Sequence, residues 1–184
     1  LAENVKGRFW GRPIRARFYS EKDYQMVDME SRIEPKKLNR LVDFPWHEVV
    51  EGNIPISGSL RIPRQSAALT QLFVLELNSN LEGVEISLPD PFGKTAEQSM
   101  KANLAISMDS QLRAISGNLA RDLNLDVRFR EGLLDRGVVS YKRNVETPKR
   151  GTFLFAGHLP TADLKMWEPF IQIFNINPAD EIED

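Results

Sequence analysis

Leu75-Glu-Leu-Asn-Ser-Asn-Leu-Glu-Gly-Val-Glu-Ile-Ser-Leu-Pro-Asp-Pro-Phe-Gly-Lys94 begins as a strand, bends at Glu82-Gly83, resumes as an alternating strand and meets two prolines. Side chains alternate faces along a strand, so Val84, Ile86 and Leu88 point one way while Glu85 and Ser87 point the other. Proline donates nothing to a β-ladder, so Pro89 and Pro91 drive the chain out of the sheet into a fixed loop. The stretch is apolar and holds neither a nucleophile nor a cluster of metal ligands, which leans away from an enzyme.

The same period of two recurs on both sides of it. Val5 to Trp10 predicts a short strand, Gly11-Arg12-Pro13 a turn, and Ile14, Ala16 and Phe18 a half-buried strand with Arg15 and Arg17 on its wet face. Val27, Met29, Ser31 and Ile33 alternate after a polar connection at Ser20 to Asp23. Ile54, Ile56, Gly58, Leu60 and Ile62 do the same up to Pro63. Leu69 to Leu77 is apolar on both faces, the pattern of a central strand covered on two sides. Ala102, Leu104, Ile106 and Met108 form another strand, and Leu112 to Ser116 a further one closed by a Gly117-Asn118 turn. Leu119, Leu123, Leu125, Val127 and Phe129 share a face of the next run, opposite Asn124, Asp126 and Arg128. Val138 to Lys142 returns, and Phe153, Phe155 and Gly157 make the last strand.

Helical period appears twice. Pro35 suits a first helical turn, with Leu38 and Leu41 on one face. Thr161 can cap a helix bearing Leu164, Trp167, Ile171 and Phe174, shortened or kinked by Pro169. The expected fold is therefore mainly β: roughly ten strands in a long, twisted and curved antiparallel meander, with two short helices. Ser31 to Leu41 and Gly157 to Trp167 each leave a strand, pass a proline and enter a helical turn with matching apolar positions. This echo fits either a recurring module with junctions near those two stretches or the general likeness of strand-to-helix junctions.

Composition narrows the function. The 184 residues suit one domain or one long sheet with a core of ordinary size, and a net charge of −2, from 24 basic and 26 acidic residues, argues against nucleic acid as a partner. Cysteine is absent, so disulfides and thiolate metal sites are excluded. No window approaches the ~18 apolar residues that span a bilayer. No signal-peptide pattern opens the chain at Leu1, which suggests a mature form or a piece of a longer protein. His47 and His158 are the only histidines, neither lies in a catalytic motif, and no phosphate-binding or dinucleotide fingerprint is present. No cofactor or metal is expected. Arg12, Arg15 and Arg17 read as a solvated strand face, with a small basic ridge for phosphate groups as the sharper possibility.

An apolar face on such a meander must be buried against a second layer, folded on itself, or given to an apolar ligand. A seven-residue strand rises ~23 Å, comparable with one acyl chain in a ~30 Å hydrocarbon layer. Each buried methylene would contribute ~0.8 kcal/mol. Alternation alone does not separate an open trough from a closed β core, and without further signal the closed core is the favoured reading. The trough's expected lining is Ile54, Ile56, Leu60, Ile62, Val84, Ile86, Leu88, Leu104, Ile106, Leu123, Leu125, Val127 and Phe129.

Two motifs then suggest a family. Ser79-x-Leu81-x-Gly83-Val84-x-Ile86-x-Leu88-Pro89-x-Pro91-Phe92-Gly93-Lys94 closely resembles a signature of the YhdP-like branch of the AsmA-like proteins. Gly157-x-Leu159-Pro160-x-x-Asp163-Leu164-x-x-Trp167 is similar to a second, weaker element of that branch. The resemblance spans at least Ile54 to Trp167. It implies a non-catalytic envelope protein of didermal bacteria, held in the inner membrane by an anchor outside this stretch and extending through the periplasm. It also implies an open apolar β-groove along which phospholipids pass between inner and outer membranes. The partners implied are phospholipid acyl chains, neighbouring segments of one long chain, and the two membranes through parts outside this chain. A structural or protein-interaction module with a closed core is the rival from another class.

Overall fold

Strict alternation leaves each strand with one apolar and one polar face, and in-register pairing then aligns those faces across a sheet. A computed structural model describes residues 3–40, 46–64, 71–109, 112–120, 122–158 and 164–173. Its elements are β1 (Glu3–Phe9), β2 (Arg12–Glu21), β3 (Tyr24–Ile33), a 3-10 helix (Pro35–Arg40), α1 (Trp46–Val49), β4 (Val50–Gly52), β5 (Ile54–Pro63), β6 (Gln71–Ser79), β7 (Val84–Ile86), β8 (Ala102–Asp109), β9 (Leu112–Leu119), β10 (Leu123–Arg130), β11 (Leu133–Tyr141), β12 (Phe153–Gly157) and α2 (Leu164–Ile173).

One ten-stranded sheet runs in the order β1-β2-β3-β5-β6-β8-β9-β10-β11-β12, and β4 pairs with β7 in a separate two-stranded ladder. The large sheet is open, with β1 and β12 as its edges rather than as partners. Neighbours up to β11 are antiparallel. The last pair is not: β12 lies parallel to β11, Gly137 opposite Phe153 and Tyr141 opposite Gly157. The sheet is therefore mixed, where the meander expectation had every pair antiparallel. Parallel pairing needs a crossover, and residues 142–152 supply it, running back over the polar face. Thr147 Oγ1 donates to Asp126 Oδ2 at 2.5 Å, and Gly151 N donates to the Asp135 carbonyl at 2.7 Å. This crossover is why Val138 and Ser140 are buried on a face that is otherwise wet.

Three local expectations are corrected. Pro13 lies inside β2, opposite Arg8; the turn is Trp10-Gly11, both at positive φ (50° and 84°), which suits a two-residue hairpin. Gly117-Asn118 is not a turn either, because β9 continues to Leu119, which stands opposite Leu123 of the antiparallel β10. Gly117 faces Leu104 on one side and Leu125 on the other, so its neighbours fill the space it leaves. β6 is central, between β5 and β8, but its polar face is not covered: Glu76 is exposed and pairs with Ser59 and Ala105.

The two rims of the sheet differ. The insertions 34–53 and 80–101 both leave from the rim where β3 and β6 end, and α2 follows β12 at that same rim. The opposite rim carries tight tips, Lys22-Asp23 and Glu131-Gly132. Arg12 closes the insertion side of β2: its guanidinium donates to Glu34 Oε1 at 2.6 Å and holds that carboxyl below the usual range. Leu41 and Thr161 lie outside the described residues, as do Leu159, Pro160 and Asp163 of the second motif.

Candidate functional site

Reading the register across the sheet gives continuous apolar rows. Val27, Leu60, Leu75, Ile106, Ile115 and Val127 stand opposite one another from β3 to β10. The next row runs Met29, Gly58, Leu77, Leu104, Gly117, Leu125, Val139 and Phe155. Strands lie ~4.8 Å apart, so six of them carry a row over roughly 24 Å. Ile54, Ile56, Leu60, Ile62, Leu104, Ile106, Leu123, Leu125, Val127 and Phe129 all fall on this one face. Most are half-buried, Ile106 and Val127 are buried, and Ile62 is exposed toward the tip rim. The reverse face is polar: Asp28, Ser59, Glu76, Asn103, Asn118 and Asp126 alternate with the apolar rows.

Sequence reasoning missed Leu75, Leu77, Ile115 and Val139 as members of these rows. For Leu75 and Leu77 the signal was present in their alternation with Glu76. For Ile115 it was hidden by reading Gly117-Asn118 as a turn.

Val84, Ile86 and Leu88 are placed elsewhere. They belong to the β4–β7 ladder and its exit, a cap laid over the insertion rim of the apolar face. Val84 is fully buried, and with Leu81 and Ile86 it packs against Val50, Ile54, Leu88, Met100, Ala102 and Leu119. Leu81 is at φ 49° and Gly83 at φ 74°, while Leu81 N donates to Ser79 Oγ and Glu82 N to Asn80 Oδ1. These local bonds and the permissive glycine make the bend that the Asn-Leu-Glu-Gly wording announces. Ile86 and Lys94 then exchange backbone bonds at 2.9 and 3.0 Å, closing the Pro89–Phe92 turn. Gly93 allows this because a β-carbon there would run into the Leu88 carbonyl oxygen.

Lys94 ties the cap together. It is only 6 % exposed, and its Nζ donates to the backbone carbonyls of Leu81 at 2.9 Å, Thr95 at 2.8 Å, and Val84. An ammonium has three donors and here meets three acceptors, which is what a buried charge needs. Burial nevertheless pulls its pKa below the usual lysine value, with the Glu97 and Glu85 charges opposing. Phe92 faces the other way. Its ring packs edge-on against Tyr141, with centroids 5.1 Å apart, and against Trp167 of α2 at 5.6 Å. The two motif stretches, distant in sequence, therefore meet at Phe92 and Trp167 over the insertion rim.

A larger recess, of about 1100 Å³, opens on the polar side between β1 and β8, lined among others by Arg15, Arg32, Ser57, Asn78, Lys101 and Asn103. Arg15 pairs with Glu30 at 3.1 Å and Arg17 stacks over Tyr19, while Arg12 turns away to Glu34, so the three arginines form no single ridge. His47 on α1 and His158 after β12 are exposed. Among the described residues no group of three or more metal-ligating side chains occurs, and no helix is long and apolar enough to cross a membrane.

The family model described as YhdP protein matches residues 1–183, nearly the whole chain and well beyond the two motifs. No curated protein and no solved structure matches it.

Proposed function

The chain belongs to the YhdP family, a lipid-transport family of the cell envelope, and on that premise we propose that it is one segment of a non-catalytic periplasmic conduit. In this reading phospholipid acyl chains lie on the apolar face while their head groups stay in water beyond its rim. The single observation that carries it is the set of unbroken apolar rows across an open sheet. A closed core would bury those rows against a second sheet. Here an exposed Phe18 and Ile62 and half-buried Leu60, Leu104 and Leu125 remain available to an apolar ligand. Strands cross the path like rungs, so a lipid would move from strand to strand along the rows, each methylene that leaves water contributing ~0.8 kcal/mol. Contacts of this kind are non-directional, which suits sliding.

The cap gives that path one wall. Val84, Ile86 and Leu88 support the wall from inside, and Phe92 fixes it to the sheet through Tyr141. Edge strands β1 and β12 are the places where neighbouring segments of the same long chain would continue the sheet. Those neighbours would carry the lipid path on toward the two membranes.

A photoreactive residue placed at Leu60 or Leu125 in cells should crosslink to phospholipid, and one at Glu76 or Asn124 on the polar face should not. Silence at every apolar-face position, with folded protein present at normal levels, sinks conduction through this segment.

A further inference from the structure

The tip of the β10–β11 hairpin combines two features found together nowhere else among the described residues. Leu133 and Leu134 are 76 % and 51 % exposed, directly after the tight turn Glu131-Gly132, whose residues sit at φ 53° and 83°. Behind them a bulge after Arg128 leaves Asp135 out of register, and its side chain is only 8 % exposed on the polar side. Three arginines converge on that one carboxylate: Arg136 at 3.3 Å, Arg150 from the crossover at 3.6 Å and Arg130 at 3.8 Å. The cluster keeps a positive excess that Glu131 in the turn only partly offsets. Arg150 is 62 % exposed and open to a further anion.

We propose that this tip is a docking surface for an anionic phospholipid bilayer, with the two leucines entering the interface and the arginines meeting lipid phosphates. An apolar tip with cations behind it matches the layering of a membrane surface, apolar inside and phosphate outside. The guanidinium fork suits phosphate oxygens in particular. The alternative cover, a neighbouring strand, fails on geometry. A sheet grows sideways from β12 and could shelter Phe153 and Phe155, but the β10–β11 tip lies at the strand ends, off that axis. The turn is tight and Leu133 and Leu134 themselves pair with Arg130 and Phe129, so the leucines are presented with little ordering left to do. This surface lies on the rim opposite the cap and does not depend on acyl chains travelling along the apolar face.

Co-flotation of the 184-residue chain with vesicles tests it, using phosphatidylcholine alone and phosphatidylcholine mixed with phosphatidylglycerol. The chain should float with the mixed vesicles, and Leu133→Ser/Leu134→Ser should weaken that binding by about tenfold or more. Arg150→Gln should remove the preference for the mixed vesicles. All three sites are exposed, so unchanged thermal unfolding serves as the folding control. Failure of the parent to float, or leucine variants that float as well as the parent, overturns the proposal. Lipid crosslinking at Leu125 in the same preparation separates the two readings, since either result can fail while the other holds.

Discussion

Lys94 brings a full charge into the driest part of the cap, where three backbone carbonyls accept from its Nζ and the Glu97 and Glu85 charges favour it from nearby. Replacing it with Met removes the donors and strands those carbonyls away from water, a loss that costs about 2–4 kcal/mol. Equilibrium urea unfolding of Lys94→Met against the parent should show it. The pH dependence has a definite sign. The folded-state pKa is lowered, so the unfolded chain binds the proton more tightly. The desolvation cost is full below the folded value and is relieved as pH climbs from there toward the ordinary 10.5. Across that alkaline window the parent should therefore gain stability relative to Lys94→Met, and a parent that loses ground there would contradict the lowered pKa. In the motif, then, the lysine and Gly93 serve one turn: the glycine lets the chain close on Leu88 and the lysine holds the closure.

Among the elements, the cap and the crossover solve different problems. The cap covers one rim of an apolar face that is too wide for the short helices to bury. Phe92→Ala should loosen α2, because Phe92 touches both Tyr141 and Trp167. Two aromatic contacts and a half-buried ring suggest a loss of about 1–3 kcal/mol. Amide exchange in α2 should accelerate more than in β10, which keeps both strand neighbours; equal acceleration everywhere would deny the cap its role. The crossover instead shields polar-face positions, and its fixed points are the Thr147–Asp126 bond and the Arg150–Asp135 pair. Its existence was not legible in the chain. Residues 142–152 contain no regular period, and a hairpin-length loop back to an antiparallel strand would have read the same way.

For the whole molecule, the open edges dominate behaviour in isolation. β12 exposes Phe155 at 70 % beside a row of unpaired backbone groups, a template for association. Phe155→Lys should reduce self-association measured by sedimentation velocity at high protein concentration while leaving unfolding unchanged. If the variant associates as strongly as the parent, β12 is not the sticky edge.

How much of this the chain revealed follows from range. Period-two alternation is a local property, so strand positions and the shared face of Ile54 to Ile62, Leu104 to Ile106 and Leu123 to Phe129 could be read from side-chain order alone. So could the bend at Glu82-Gly83, since a glycine beside polar residues is a local turn signal, and so could family membership, which rests on residue identities. Two things needed the tertiary structure. β12 joins the sheet in parallel because the crossover packs on Asp126 and Asp135, contacts that no local pattern encodes. Val84, Ile86 and Leu88 alternate as faithfully as any strand, yet alternation names a face without naming the sheet it belongs to. Only the pairing in β4, Gly52 opposite Val84 and Val50 opposite Ile86, assigns them to the cap. The stretch from Ser79 to Lys94 is thus a lid fastened by Lys94 and Phe92 over a sheet whose apolar rows lie beneath and beyond it.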